Sequence, residues 1–194
     1  MQNGLFYPFT NERINVILKI EFGGVTMTAH DKMSVVIDLA KEAMGYNEFP
    51  IAAATYLGDE LISSAYTSEK ADKRFLVHAE QKALMDADMK RLSYKDRSQL
   101  ELYTNLEPCL MCLGMAISSF VGKIYYALEA PEDGAVDFVR KEYEGRKVTG
   151  FDAWHFPEVT GGLLREQSIQ LFREFVELNE GKPGVEFARS LSIL

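Results

Sequence analysis

The sequence predicts an α/β fold with a mixed central sheet. Residues 50–57 and 60–66 are strand-like and flank a Gly58-Asp59 turn, which predicts an antiparallel pair of strands. Later in the chain, predicted strands and helices alternate in the order β-α-β-α-β. Because a crossover helix lets the next strand run in the same direction, this order indicates parallel pairing in the later part of the sheet.

A further element is predicted ahead of this core. Alternating apolar residues over 14–22, a Gly23-Gly24 turn and a return segment over 25–28 predict a β-hairpin. We therefore expect an N-terminal extension over residues 1–29, which either covers a sheet edge or builds a contact between subunits.

The helices follow from hydrophobic periodicity. A helix with one apolar face begins at His30 or Asp31 and ends at Gly45. Further helices are predicted at residues 78–92, 110–120, 131–143 and 164–178, with strands at residues 101–105 and 122–127. Residues 145–162 look irregular, and because long loops in compact domains are often functional, this segment is a candidate lid.

Length and composition predict one globular domain. The 194 residues are 47% hydrophobic and 26% charged, which is ordinary for a folded domain with its own core. We place that domain at residues 30–180 and expect a tail over residues 181–194, because the Gly- and Pro-containing segment 180–184 breaks the last helix.

Two short strings supply metal-binding chemistry: His78-Ala79-Glu80, and the segment from Pro108 to Cys112. A catalytic zinc site uses three nitrogen or sulfur ligands and leaves the fourth tetrahedral position to water. His78, Cys109 and Cys112 provide three such ligands, so Zn²⁺ is the predicted cofactor. Glu80 is then available as a catalytic base.

Two other interpretations of the cysteine pair remain open. A C-x-x-C string can be a redox pair, but that chemistry needs neither His78 nor Glu80. It can also be half of a structural zinc site, which would need a fourth ligand, and only His30 and His155 remain as unused histidines. Both cysteines open a predicted helix behind Pro108, where the helix dipole favours thiolates. The catalytic zinc site is therefore the favoured interpretation.

The chain resembles the cytidine deaminase-like superfamily, and within it the tRNA adenosine deaminase and guanine deaminase branch. H-x-E followed by P-C-x-x-C is the signature of zinc deaminases. The resemblance extends over roughly residues 30–178 and includes five further segments: residues 39–43, 48–54, 102–117, 122–127 and 160–166. It implies a three-layer α/β/α fold with a mixed five-stranded sheet, a homodimer, and Glu80 as the proton shuttle.

The chain departs from this branch where the substrate is recognised. Members usually place an asparagine after the second strand, and an ungapped alignment back from His78 puts Thr67 there. Residues 74–77 read Arg-Phe-Leu-Val in place of the usual Asp-Pro-Thr-Ala. A hydroxyl is a shorter group than a carboxamide and makes fewer hydrogen bonds. We therefore expect a different or smaller ring than the branch usually binds.

Four other residues are candidates for substrate contact. Ala79 is small enough to let a ring approach the metal, although it would equally suit helix packing. Glu107 either touches substrate or orients a neighbouring loop. Trp154 and His155 lie in the candidate lid, where Trp154 could also serve simple packing.

Charge and cysteine content bear on partners and location. The net charge of −8 disfavours a large RNA, whose phosphates need Lys and Arg, although Lys70, Lys73 and Arg74 precede the metal string. No stretch approaches the length of a membrane span, and residues 1–10 lack the features of a signal peptide. With both cysteines assigned to metal, none remains for a disulfide, which fits the cytoplasm.

These observations favour a zinc-dependent hydrolytic deaminase that acts on a small amino-substituted ring, either a nucleobase, a nucleoside or a related heterocycle. The alternative is a tRNA-specific adenosine deaminase, which converts adenosine to inosine. A second alternative is a non-catalytic zinc-binding interaction module, against which Glu80 counts, since a structural site has no need of that carboxylate.

Overall fold

The computed structural model describes residues 26–146 and 155–194. The predicted hairpin falls almost wholly on residues 1–25, which lie outside the described residues. Trp154 and residues 147–153 of the candidate lid also lie outside them, whereas residues 145–146 and 155–162 of that segment are described. Residues 26–28, the end of the predicted return strand, form no strand.

Within those limits, the structure contains helices and strands in alternation. The helices are α1 Ala29–Gly45, α2 Glu69–Asp72, α3 Ala79–Asp88, α4 Tyr94–Arg97, α5 Leu110–Ser118, α6 Val136–Glu144, α7 Arg165–Leu178 and α8 Val185–Ser192. The strands are β1 Ala52–Leu57, β2 Glu60–Tyr66, β3 Leu100–Leu106, β4 Lys123–Leu128 and β5 Glu158–Thr160. No helix of the described residues combines the length and the apolar character needed to cross a membrane.

The five strands form one mixed sheet in the order β2-β1-β3-β4-β5. Strand β1 pairs antiparallel with both β2 and β3, whereas β3, β4 and β5 run parallel. The predicted antiparallel pair and the predicted parallel region are therefore both confirmed. The parallel strands place the carboxyl end of β3 at the edge where α5 begins, because α5 is the crossover from β3 to β4.

Helices cover both faces of the sheet. On one face, α1 packs through Met33, Val36 and Ala40 into a core that also includes Leu171 of α7. On the other face, α3, α5 and α6 bury small and branched residues against the same strands. Helix α1 begins with a capping box between Thr28 and Asp31, one residue ahead of the predicted start.

Several predicted elements differ from the structure. The segment 145–162, predicted to be irregular, contains β5, and helix α5 ends at Ser118 rather than residue 120. Helix α3 ends at Asp88 rather than residue 92, and Arg91 beyond it adopts a left-handed conformation. Helix α6 begins at Val136 rather than residue 131, because residues 130–134 form a turn that the backbone N–H of Gly134 closes onto the carbonyl of Ala130. The predicted tail over residues 181–194 contains α8.

Helix α8 belongs to the folded core. Val185, Ala188 and Leu191 recur at helical spacing, are buried, and share a cluster with Phe172 and Phe175 of α7. The guanidinium Nε of Arg173 also donates to the carbonyl oxygen of Ser192, 3.0 Å away. The end of the chain thus lies against α7, where it reaches the cavity described next.

Candidate metal centre and active site

The predicted zinc ligands lie at the starts of two helices. His78 is the N-cap residue of α3 and Cys109 is the N-cap residue of α5, while Cys112 lies one turn inside α5. Val77 is buried just before His78, and the end of β3 leads through Glu107 and Pro108 into Cys109. The sheet and the two helix starts together fix where the three side chains point.

The spacing of the three ligand atoms fits a tetrahedral zinc ion. The Nδ1 atom of His78 lies 3.7 Å from the Sγ atom of Cys109 and 3.5 Å from that of Cys112. Zinc–nitrogen and zinc–sulfur bonds of about 2.0 and 2.3 Å place a nitrogen and a sulfur about 3.6 Å apart in a tetrahedron. The three donor atoms lie within 4.8 Å of one another, and among residues 26–146 and 155–194 the cluster includes no fourth His, Cys, Asp or Glu. This donor set suits a catalytic site with an open position better than a closed structural site.

The three ligands also polarise one another. A hydrogen bond from the Cys112 thiol lowers the pKa of Cys109 to about 4, and the His78 imidazole adds to this effect. The contact with Cys109 in turn raises the pKa of His78 to about 9. Cys109 therefore favours the thiolate, which is the form that binds a metal.

Glu80 lies beside this cluster in a desolvated position. Its side chain is buried, with the residue 4% exposed, and burial raises the pKa of the carboxyl to about 7. It is the second residue of α3, so the helix that carries His78 as its cap also aims Glu80 at the same place. A carboxyl group in such a position both accepts and returns a proton near neutral pH.

A cavity of 250 Å³ opens next to the ligands. It is lined by Phe49, Ile51, Thr67, Glu69, His78, Ala79, Glu80, Leu106, Glu107, Cys109, Asp133 and Phe187. Of the predicted substrate-contacting residues, the cavity therefore brings together Thr67, Ala79 and Glu107. His155 is exposed and is not among the lining residues, and Trp154 lies outside the described residues.

Two of these predicted residues also have structural partners. The carboxylate of Glu107 accepts the backbone N–H groups of Ala130, at 3.2 Å, and Val136, at 3.1 Å. It thus holds the turn before α6, which is the loop-orienting role considered from the sequence. The hydroxyl of Thr67 donates to the carbonyl oxygen of Val77 at 3.0 Å and so joins β2 to the segment before His78.

Glu69 lies in the site but is not among the residues predicted from the sequence. Its Oε1 atom lies 3.4 Å from Nε2 of His78, the ring nitrogen that faces away from the cysteines. The short helix α2 that carries it is held by Glu48, whose buried carboxylate accepts the backbone N–H groups of Lys70 and Ala71. No local pattern marks Glu69, because the contact depends on how α2 folds back over the N-cap of α3.

Asp133, Phe49 and Phe187 were missed as well. Asp133 lies at the rim on the turn before α6, while the rings of Phe49 and Phe187 meet edge to face with centroids 5.9 Å apart. Phe187 belongs to α8, which lies in the segment predicted to be a C-terminal tail. The apolar spacing within α8 is the signal that would have identified it.

Comparison with known proteins assigns the family. Residues 27–128 match the model of the cytidine and deoxycytidylate deaminase zinc-binding region, so the match includes all three ligands and Glu80. The tRNA-specific adenosine deaminase of Rickettsia bellii is 27% identical over 145 residues, which cover 74% of this chain and 96% of that protein. The tRNA-specific adenosine deaminase of Aquifex aeolicus is 34% identical over 105 residues, 54% of this chain and 69% of that protein.

A third relative is much longer than this chain. The tRNA(Ile)-lysidine synthase of Deinococcus deserti is 32% identical over 151 residues, which cover 76% of this chain but 27% of that protein. The chain thus spans about a quarter of that relative's length.

Solved structures show the same fold. The guanine deaminase from Nitrosomonas europaea superposes with a TM-score of 0.60 at 24% identity, covering 90% of this chain and 97% of that one. A structure from a study of A-to-I editing by tRNA:A34 deaminases also gives a TM-score of 0.60 at 24% identity, covering 72% and 97%. With the family match over residues 27–128, these findings confirm the resemblance predicted from the sequence. The chain belongs to the cytidine and deoxycytidylate deaminase family, a family of zinc-type hydrolases that act on carbon–nitrogen bonds of nucleobases and nucleosides.

Proposed function

We propose that this protein is a zinc-dependent hydrolytic deaminase of a small amino-substituted heterocycle: a free nucleobase, a nucleoside or a related ring. The reaction replaces the amino group with an oxo group and releases ammonia. The observation that carries this proposal is the buried Glu80 carboxyl beside the three-ligand cluster, at the wall of a 250 Å³ cavity. A non-catalytic zinc module would need neither that carboxylate nor the cavity.

The residues divide the chemistry among them. His78, Cys109 and Cys112 would hold a zinc ion, and when bound it would supply a water molecule that is activated for attack near neutral pH. Glu80 takes a proton from the attacking water and passes it to the ring nitrogen beside the amino-bearing carbon. The carbon–oxygen bond forms, Glu80 then moves the remaining proton of the added hydroxyl to the amino group, and the carbon–nitrogen bond breaks as ammonia leaves.

The charge of the cavity supports a small, unphosphorylated substrate. Glu69, Glu107 and Asp133 line it, whereas none of the described lining residues is Lys or Arg. Carboxylates repel phosphate groups, and RNA binding depends on cationic contacts to phosphates. Three basic residues, Lys70, Lys73 and Arg74, precede His78. Of these, Lys70 has a structural role, because its ammonium donates to the carbonyl oxygen of Asn47 at 2.6 Å and lies over the ring of Phe49.

A tRNA-specific adenosine deaminase is the second candidate. Its support is the sequence similarity to the Rickettsia and Aquifex proteins of that name, which extends over most of their length. It requires a basic surface that guides an anticodon loop to the acidic cavity. Lys73 and Arg74, both exposed at the end of α2, are the described residues that would begin such a surface.

The proposal includes a homodimer in the cytoplasm. The helical layer that carries the predicted zinc ligands has four exposed apolar side chains: Met85 of α3, Met89 at the C-cap of α3, Leu110 of α5 and Phe138 of α6. Burial of such a layer against a second copy removes apolar surface from water. Light scattering coupled to gel filtration tests this, and a monomer at micromolar concentration would contradict it. The cytoplasmic location rests on the assignment of both cysteines to metal.

Ammonia release from a panel of substrates tests the function. The panel contains cytosine, guanine, adenine, their nucleosides, pterin- and triazine-like rings, and a tRNA with adenosine at position 34. Zinc-loaded wild type is compared with Glu80→Ala, which should keep its zinc and lose hydrolysis. Release from a small ring supports the proposal, and release only from tRNA establishes the second candidate. If wild type at full zinc occupancy releases ammonia from no substrate of the panel, or if Glu80→Ala is active, the assignment of Glu80 as the catalytic residue of a deaminase is contradicted.

A further inference from the structure

We infer, on the basis of the proposed function, that the substrate is an amino-rich heterocycle. Besides the amino group that is lost, it carries a second amino group, a hydrogen-bond donor that Thr67 recognises. The observation behind this substrate class is that the polar side chains of the cavity, apart from the metal ligands and Glu80, present acceptors.

Thr67 faces the cavity as an acceptor. A hydroxyl group has one hydrogen to donate and two lone pairs that accept. The hydrogen of Thr67 is used on the carbonyl oxygen of Val77, 3.0 Å away, and the residue is 3% exposed. The hydroxyl of Thr67 can therefore accept a hydrogen bond from a bound ring through its lone pairs. An asparagine, which the branch usually has at this point, would offer an N–H group as well.

The backbone beside Thr67 supplies no donor either. The N–H of Thr67 donates to the carbonyl of Ile51 at 2.9 Å, and the N–H of Ser68 donates to that of Val77 at 3.3 Å. Both groups are thus occupied within the protein. A ring carbonyl placed at this position would meet an acceptor and would lose its hydrogen bond to water without replacement.

The other polar lining groups have the same character. Glu69, Glu107 and Asp133 carry carboxylates, which when ionised accept hydrogen bonds but donate none. Glu107 already accepts two backbone N–H groups, so part of its capacity is taken. The other described side chains that line the cavity are apolar, apart from Glu80 and the predicted metal ligands. Hydrogen-bond donors on the substrate are therefore matched by the side chains, and acceptors are not.

The reaction on such a ring is balanced by water alone. Water adds to one amino-bearing carbon as the carbon–oxygen bond forms, and Glu80 carries one water proton to the neighbouring ring nitrogen and the other to the departing amino group. The carbon–nitrogen bond breaks and ammonia leaves. The product keeps its second amino group, which stays opposite Thr67 throughout.

Matched substrate pairs test the inference. In 2,4-diaminopyrimidine and cytosine the same 4-amino group is lost, and the two rings differ by an amino or an oxo group at position 2. 2,6-Diaminopurine and isoguanine differ in the same way and both lose the 6-amino group. We expect kcat/KM for ammonia release to favour the diamino member by about 10- to 100-fold, since an unpaired buried polar group costs about that much.

Three variants locate the preference at Thr67. Thr67→Val keeps the shape but removes the lone pairs, and should lower kcat/KM for the diamino ring about 10-fold while the oxo ring changes little. Thr67→Ser keeps the hydroxyl and should retain the preference, which controls for a merely structural role. Thr67→Asn adds a hydrogen-bond donor and should reduce the difference in kcat/KM between the diamino and the oxo ring. Zinc content and melting temperature are measured for each variant to confirm that it folds. If Thr67→Val does not fold, the substrate preference of wild type and of the other two variants tests the role of Thr67.

The outcomes separate the two proposals. Equal or better turnover of the oxo member by wild type overturns the inference and leaves the deaminase intact. If zinc-loaded wild type turns over no ring, the proposed function fails, and calorimetric titration with both members of each pair then decides the recognition. Tighter binding of the diamino member would still support an acceptor-lined cavity, and equal binding would overturn it.

Discussion

Replacing Glu69 with alanine removes the carboxylate that faces the outer nitrogen of His78. That nitrogen, Nε2, lies 3.4 Å from Oε1 of Glu69, while Nδ1 of the same ring faces both cysteines. An acceptor at Nε2 keeps the hydrogen there and leaves the lone pair of Nδ1 for the metal. It also restrains rotation of the ring. Loss of the carboxylate should therefore weaken zinc binding without removing any ligand.

The geometry sets the size of the effect. Removal of such a supporting partner usually lowers metal affinity about 10- to 100-fold. The 3.4 Å separation is longer than a strong hydrogen bond, and the side chain of Glu69 is 23% exposed, so water partly replaces it. We expect the low end of that range, about a 10-fold loss, which corresponds to about 1.4 kcal/mol of binding free energy.

Competition with a chromophoric zinc chelator measures this loss directly. Glu69→Gln keeps an acceptor but removes the charge, so its zinc affinity should fall between those of wild type and Glu69→Ala. Glu132→Gln is the matched control, because it removes an exposed carboxylate from the turn before α6, outside the cavity lining. Equal zinc affinity in Glu69→Ala and Glu132→Gln would refute the role assigned to Glu69.

Two further changes test an ion pair between α1 and β3 and the aromatic lining of the cavity. Lys32→Met leaves the partly buried Glu101 carboxylate without the ammonium that lies 2.7 Å from it, and should lower the free energy of unfolding by about 3 kcal/mol. In urea denaturation the double variant with Glu101→Leu should recover most of that loss, and a double variant as unstable as the single one would contradict this. Phe187→Ala removes one of the two phenyl rings that line the cavity. Since an aromatic contact contributes about 0.5–1.5 kcal/mol of binding free energy, KM for the ring should rise about 3- to 10-fold with unchanged zinc content. Leu178→Ala, exposed on α7, is its control, and an equal KM in both variants would exclude α8 from ring binding.

The sheet and the metal cluster were predictable because their signals are local. The Gly58-Asp59 turn separates two strand-like segments, and the structure pairs those segments antiparallel, as predicted. The predicted zinc ligands come from two strings, each only a few residues long and each at a helix start. Once both helices pack on one face of the sheet, their N-caps bring His78 to within 3.7 Å of Cys109. Local spacing thus determined most of the geometry of the cluster.

The remaining site residues depend on contacts between distant segments. The start of α6 is set by Glu107, which lies 29 residues earlier and accepts the N–H of Val136, so periodicity around residue 131 could not locate it. Glu69 reaches His78 only because the buried Glu48 holds the first turn of α2. Phe187 reaches the cavity because α8 folds back along α7. The apolar spacing of α8 identifies that helix, but the spacing of neighbouring residues does not locate any of these three contacts between distant segments.

The two sides of the cavity therefore have different origins. The side that faces the metal is formed by α3 and α5, which lie within the residues matched by the family model, and it carries the shared deamination chemistry. The far side is formed by Thr67, α2 and α8, and α8 lies beyond that match. Since the metal side offers the same chemistry to any amino-bearing ring carbon, we propose that the far side distinguishes among rings. There, a hydroxyl whose hydrogen is already used, three carboxylates and two phenyl rings would favour a planar ring rich in N–H groups and disfavour phosphate. Under that proposal, the choice of substrate depends on Thr67, α2 and α8 rather than on the zinc-binding motif.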